Sequence, residues 1–281
     1  TFSSLVKRAD EAASYGSKGA GSFVVGANDL HLFSGQDFSG TETGIHCKYD
    51  IGTGILSVVS PSVGFDASFS LSLALSSTVG VVLEGTDTSR LIRKYTTTGG
   101  WVTLTNTLNS LGAYDDTSWG PVGDSLDSTS ILYTPGQVQD TVPGPVFFSS
   151  NFYEVNLNGV NPTEVSSINT LTTAPSPTGY GYGAKIEATA RVTFVGGEDD
   201  SVHYSETFTV DSAGLVVYRN RIPYHTISRA TYCNSGNTLY VFGGNRAFDE
   251  PVDNILSYDN TVWKYEGKTL SKNSNGTGDF N

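Results

Sequence analysis

Methionine is absent from the 281 residues, cysteine occurs twice, and charged residues make up only 16%. Two cysteines, Cys47 and Cys233, are too few for a disulfide framework or a zinc-ligand pattern. They read either as two buried free thiols or as one long-range disulfide. Basic residues are also scarce: 16 Lys and Arg against 28 Asp and Glu give a net charge of −12 and a pI near 4.6. That balance argues against nucleic acid, whose phosphates need clustered Lys and Arg, and against an anionic membrane surface. No apolar run reaches the length of a membrane span. No G-x-x-x-x-G-K-[ST] phosphate loop and no G-x-S-x-G nucleophile elbow occurs. No signal-peptide pattern opens the chain, and a start at Thr1 without any Met suggests a processed or trimmed protein. Helical periodicity is nearly missing too, with one weak candidate over Ser4–Ser14.

Glycine is plentiful, at 32 residues, and Ser and Thr fill much of the remainder. Such a composition suits turns and short strands, not long helices. Aromatic residues at 11% and frequent β-branched runs argue against disorder. One motif recurs: a short apolar strand ending in Gly, with an acidic or amide residue within two positions. The copies are Leu30–Gly35, Val81–Gly85, Val192–Gly197 and Leu239–Gly244. Gly35 and Gly85 are 50 residues apart, Gly85 and Gly197 are 112 apart, and Gly197 and Gly244 are 47 apart. The long interval implies a further copy near its middle, where Val146-Phe147-Phe148-Ser149-Ser150 lies with Ser in place of Gly.

Each unit carries a similar succession of strand candidates. The first has Gly21–Gly26, Leu30–Gly35, Gly44–Tyr49 and Ile55–Val59. The second has Ala67–Ser76, Val79–Gly85, Leu91–Thr96 and Trp101–Thr105. The fourth has Ala184–Thr189, Arg191–Gly197, Ser205–Val210 and Leu215–Asn220. Four short strands per unit, joined by tight turns, form the pattern of a propeller blade. The expected fold is all-β: one β-propeller domain over residues 1–281 with about five four-stranded blades, roughly 19–60, 61–108, 109–170, 171–223 and 224–272. Residues 1–18 form an N-terminal closing segment and 273–281 a polar tail. The fifth unit runs short after Trp263-Lys264-Tyr265, so residues 1–8 are expected to pair with the strand around Thr261–Glu266 and close the ring. Cys47 falls on a third strand and Cys233 on a first strand, at different radii, so no disulfide is expected.

In the fifth unit Arg221-Ile222-Pro223-Tyr224-His225 leads into Thr226–Cys233, the turn Ser235-Gly236-Asn237 and then Leu239–Asn245, read LYVFGGN. With this order the unit resembles the kelch repeat found in kelch propellers and in the central domain of galactose oxidase. Tyr95, Trp101 and Leu104 resemble the family's Tyr, Trp and Leu stretch, and Tyr49-Asp50 and Trp263-Lys264-Tyr265 fall in comparable places. Physically, a Gly pair at a strand end permits positive φ and close approach of backbones. Tyr and Trp on outer strands fill the wedge that widens between blades.

The galactose-oxidase likeness raises a copper-radical site, and Tyr224-His225 resembles the family's Tyr-His pair. Cys47 and Cys233 lack the context for the cross-link such a site needs, so His225 reads as a structural His. A glycosidase needs two carboxyl groups a few ångströms apart with separated pKa values. Asp37, Asp87, Glu198 and Asp199 follow apolar strands without a catalytic motif. The run Glu198-Asp199-Asp200 with His203 lacks calcium-loop spacing and reads as a solvated loop. Gly179–Gly183, read GYGYG, is either an aromatic binding loop or the turn before the fourth unit's first strand. In an antiparallel blade the loop between strands two and three lies on the same face as the approach to strand one. That face gathers Asp37, Asp87, Glu198, Asp199, Tyr180, Tyr182, Tyr224, His225 and Arg246. The expected function is a non-catalytic binding module that engages a protein or glycan partner at this acidic face, without cofactor or metal. A structural subunit of a surface layer, coat or filament is the competing expectation, and a carbohydrate-active enzyme the third. Scarce Lys, abundant Ser and Thr, the acidic pI and the sequon Asn275-Gly276-Thr277 are compatible with an extracellular or surface-displayed protein.

Overall fold

A computed structural model describes residues 21–33, 46–59, 71–85, 90–104, 121–139, 146–149, 151–157, 167–173, 181–186, 189–198, 202, 204–222, 230–247, 250–252, 254–268, 271–272 and 278–279. Among the described residues there is no helix. Blade one is the antiparallel sheet β1 (Gly21–Val25), β2 (Asp29–Phe33), β3 (His46–Asp50) and β4 (Ile55–Val58). Blade two is β5 (Leu71–Ser76), β6 (Val79–Gly85), β7 (Arg90–Thr96) and β8 (Gly100–Thr103). Blade three is β9 (Val122–Ser125), β10 (Ser130–Thr134), β13 (Asn151–Asn156) and β14 (Ser167–Thr173), with a side ribbon of β11 (Gln137–Gln139) and β12 (Val146–Phe148). Blade four is β15 (Tyr182–Ala184), β16 (Arg191–Val195), β17 (Thr207–Asp211) and β18 (Val216–Tyr218). Blade five is β19 (Thr231–Ser235), β20 (Thr238–Phe242), β23 (Asn254–Tyr258) and β24 (Trp263–Lys268), with a side ribbon of β21 (Asn245–Ala247) and β22 (Glu250–Pro251). A short hairpin, β25 (Ser271–Lys272) and β26 (Gly278–Asp279), follows. The five sheets form a five-bladed β-propeller. First strands β1, β5, β9, β15 and β19 adjoin in that order.

The core is distributed between blades, because alternate residues of a strand leave opposite faces of its sheet. On β6, Val82 turns towards Phe23 and Val25 of blade one, while Val81 and Leu83 join Ile131, Tyr133 and Val155 of blade three. Phe152 meets Phe194 and Phe208 between blades three and four, and Tyr182 and Ile186 meet Leu239 and Leu256 between four and five. Each of these four interfaces has its own apolar cluster, and among the described residues the one between blades one and two is the smallest.

Many acidic residues are turn caps. Asp50 and Asp211 end third strands and Asp259 directly follows one, and their Oδ1 atoms accept the backbone N–H groups of Thr53 (2.8 Å), Leu215 (2.9 Å) and Val262 (3.0 Å). Thr96 does the same for Gly99 in blade two, at 2.9 Å. A short side-chain oxygen that replaces a missing backbone partner is why Asp and Thr recur where these chains reverse.

Three expectations are corrected. Val146–Phe148 is not the third blade's copy of the repeated strand; it is β12 in the side ribbon, and the copy is β10. Gly136, not Ser149, is the glycine of that copy, 51 residues after Gly85 and 61 before Gly197. Its carbonyl accepts Ser149 N–H at 2.7 Å, as Gly197 accepts Tyr204 at 2.8 Å and Gly244 accepts Val252 at 2.8 Å. Pro135 stands where blades four and five have Gly196 and Gly243, which hides the repeat. Second, blade four's first strand is Tyr182–Ala184, earlier than Ala184–Thr189. Third, blade five does not run short, because Trp263–Lys268 is its fourth strand, paired to β23. Residues 1–18, including the Ser4–Ser14 helix candidate and the closing strand, lie outside the described residues.

Neither cysteine is in a disulfide, and both are on the expected strands; Cys47 is buried on β3, whereas Cys233 on β19 is exposed, which corrects the reading of two buried thiols.

Candidate functional site

The glycine pairs define one face of the ring. Gly196 and Gly197 have φ of 63° and 112°, and Gly243 and Gly244 have 67° and 97°, so both residues of each pair take left-handed backbone. L-residues with a Cβ rarely occupy that region, and two in succession call for glycine. The reversed backbone turns the chain away from strand two into a side ribbon before strand three. In blade three Gln137 begins the ribbon β11–β12, and in blade five Asn245 begins β21–β22. Glu198 holds the corresponding position in blade four.

The same face carries the approach to each first strand. Tyr182 opens β15 and pairs across the sheet with Val195, three residues before Glu198. Burial above all pushes the Tyr182 phenol up, against the pull of the Ala230 N–H, with smaller contributions from Tyr232 and Glu198. The structure sets Glu198 and Tyr182 on neighbouring stretches of blade four. It does not leave them on a solvated rim: both are buried, at 2% and 1% exposure. The Tyr182 hydroxyl accepts the Ala230 backbone N–H at 3.0 Å, tying blade four to the approach of β19. Of the two readings of Gly179–Gly183, Tyr182 and Gly183 belong to the first strand. Arg246 lies in the ribbon strand β21. Asp37, Asp87, Asp199, Tyr180, Tyr224 and His225 lie outside the described residues.

The opposite face holds a polar link between three first strands. Asp124 on β9 accepts the Lys185 backbone N–H at 2.6 Å, and the Lys185 carbonyl accepts Asn234 Nδ2 of blade five at 3.1 Å. The Lys185 ammonium donates to the Leu126 carbonyl. Burial raises the Asp124 carboxyl above its ordinary range against the pull of the backbone N–H groups of Lys185 and Ser125. Burial, then the Asp124 charge, raise the phenol of Tyr232, whose ring lies 5.3 Å from that of Tyr182. Each of these groups makes a hydrogen bond or a ring contact across a blade boundary, which suits them to join blades.

Sequence reasoning did not single out a third group, at the interface of blades one and two. His31 and His46 are fully buried, and His31 Nδ1 lies 2.8 Å from His46 Nε2. Trp101 Nε1 donates to His46 Nδ1 at 3.1 Å. Phe23 and Tyr95 complete the stack, with ring centroids 5.2 Å and 4.6 Å from His31. The 15 residues separating the two histidines give no local signal; only the pairing of β2 with β3 makes them neighbours. Among the described residues no cluster of three or more His, Cys, Asp or Glu is placed to hold a metal ion.

No protein-family model matches the chain, and no curated protein matches it in sequence.

Proposed function

We propose that the protein is a non-catalytic binding propeller of kelch-like type, which presents the face carrying the strand-two-to-three connections to a protein or glycan partner outside the cell. The observation that carries this reading is the pair of ribbons, β11–β12 and β21–β22, built onto that one face of blades three and five. Extensions on a rigid scaffold are where binding residues concentrate. The kelch likeness draws support from the paired glycines of blades four and five and from the Tyr–Trp pairs. Tyr95 stands opposite Trp101, and Tyr258 opposite Trp263, each pair wedged against the preceding blade. The net charge of −12 favours a cationic or hydroxyl-rich partner.

Replacing Asp37, Asp87 and Asp199 together by Asn tests the acidic residues that the sequence pattern assigns to this face. Binding is measured on a glycan array and on an array of basic peptides. A tenfold or greater loss for a folded triple variant supports the reading. Undiminished binding moves the site elsewhere.

The assembly reading has its own observation. Outer strands expose apolar side chains: Ile55 and Val58 on β4, Val102 on β8, Tyr218 on β18 and Tyr265 on β24. Sedimentation of wild type and of the Ile55→Lys/Val58→Lys variant separates the two. Self-association that the variant abolishes favours assembly.

A further inference from the structure

Hydrogen-bond chemistry fixes the proton positions in the buried histidine pair. The indole N–H of Trp101 can only donate, so His46 Nδ1 must be a bare acceptor. Neutral His46 then carries its proton on Nε2, which points at His31 Nδ1. That nitrogen must in turn be bare, so neutral His31 carries its proton on Nε2. This last N–H is buried and has no hydrogen-bond partner among the described residues. The relay therefore runs one way, from Trp101 of blade two through His46 to His31 of blade one. A second proton has no neutral place. On His46 it occupies Nδ1 and faces the Trp101 N–H; on His31 it occupies Nδ1 and faces the His46 N–H. Either way one link becomes a donor against a donor.

Blade four shows what the same positions do without histidine. His46 opens β3 opposite Phe33, and Thr207 opens β17 opposite Val195. By the same register His31 corresponds to Thr193, also buried. Trp263 Nε1 donates to Thr207 Oγ1 at 3.2 Å, as Trp101 donates to His46. One wedge thus has an acceptor that cannot take up a proton, and the other has one that can. The histidine version sits beside the apolar cluster of Phe23, Val25 and Val82, the smallest of the four among the described residues.

We propose that the Trp101–His46–His31 relay is a proton-operated latch: neutral, it joins blades one and two, and uptake of a proton at either ring opens that interface. Charged and titratable groups on the packed strands are Asp29 on β2, Cys47, Lys48, Tyr49 and Asp50 on β3, Glu84 on β6, and Arg90, Arg93, Lys94 and Tyr95 on β7; β1 and β8 carry none. Asp29 and Lys48 act on His31 in opposite senses, and His31 acts against protonation of His46. Burial dominates both, lowering His31 to about 4 and His46 to about 3. Because the folded pKa values lie below the unfolded value of 6.5, the unfolded chain binds more protons. The stability the pair contributes is complete above pH 6.5 and falls as the pH drops towards 3–4.

The test compares wild type with the double variant His31→Thr/His46→Thr, which copies blade four. Two histidines held neutral raise the unfolding constant about a thousandfold between pH 7.5 and 5.0. The expected result is that wild type loses stability over this range by about that factor more than the variant, read from urea midpoints. In wild type, hydrogen-exchange protection of β2, β3, β7 and β8 should fall before that of β17, β23 and β24. Parallel pH profiles, or protection lost everywhere at once, overturn the proposal. If the variant does not fold, nitrogen NMR of wild-type histidine rings decides: both rings must be Nε2-protonated at pH 7 and stay neutral to pH 5. A ring titrating near 6.5, or the other tautomer at His46, refutes the latch.

Discussion

Gly183 on β15 lies against Gly123 on β9 so closely that a Cβ on Gly183 would fall 2.7 Å from the Gly123 backbone. The first strands of blades three and four therefore meet backbone to backbone, and this contact accounts for one glycine of the GYGYG run. Gly183→Ala is expected to lower stability by about 1–3 kcal/mol, the usual range for overpacking. Urea denaturation measures it, and a cost below a few tenths of a kcal/mol would mean the strands can separate freely.

Gly136 tests the repeat assignment in blade three. Its φ of 75° is left-handed, so Gly136→Ala is expected to cost about 1–2 kcal/mol. Ser149→Ala, at the residue first aligned with this glycine, should not strain the backbone. A larger loss from Ser149→Ala than from Gly136→Ala would contradict the assignment.

Trp263 makes the wedge between blades four and five through its ring and its N–H. Trp263→Phe keeps most of the ring but abandons Thr207 and the Asn220 carbonyl, which accept at 3.2 Å and 3.3 Å. The expected loss is about 1–3 kcal/mol, against about 3–5 kcal/mol for Trp263→Ala, both read from chemical denaturation. Equal losses would assign the whole effect to the hydrogen bonds.

The Asp124 carboxyl is raised in the folded state, so folding takes up protons there. Its contribution is fully present below the unfolded pKa and is lost as the pH rises through the folded one. Wild type should accordingly lose stability relative to Asp124→Asn as the pH is raised from 4 to 7. A relative gain over that range would show that the N–H groups of Lys185 and Ser125 outweigh burial.

Blades one and two were legible because their strands alternate cleanly and end near glycine. Leu71–Ser76 buries every second residue, for example. Blade three was not, since Pro135 replaces the first glycine and the apolar ribbon strand Val146–Phe148 imitates the missing copy. Blade four's first strand, Tyr182-Gly183-Ala184, has Tyr182 as its single strand former and is buried throughout, so it carried little strand propensity and no alternation. Tyr182 and Glu198 were singled out from the sequence, but their burial was not legible. It depends on the neighbouring blade, whose Ala230 and Tyr232 cover Tyr182.

The claim that one face of the ring is the binding face is tested most directly by mapping a bound ligand. The ligand is the tightest component from the glycan and basic-peptide arrays, and the measurement is hydrogen-exchange protection on adding it. The account predicts protection of β11–β12, β21–β22 and the segment around Glu198, with β4, β8, β18 and β24 unchanged. Protection confined to those outer strands would contradict it. So would arrays without a binder combined with self-association that Ile55→Lys/Val58→Lys abolishes.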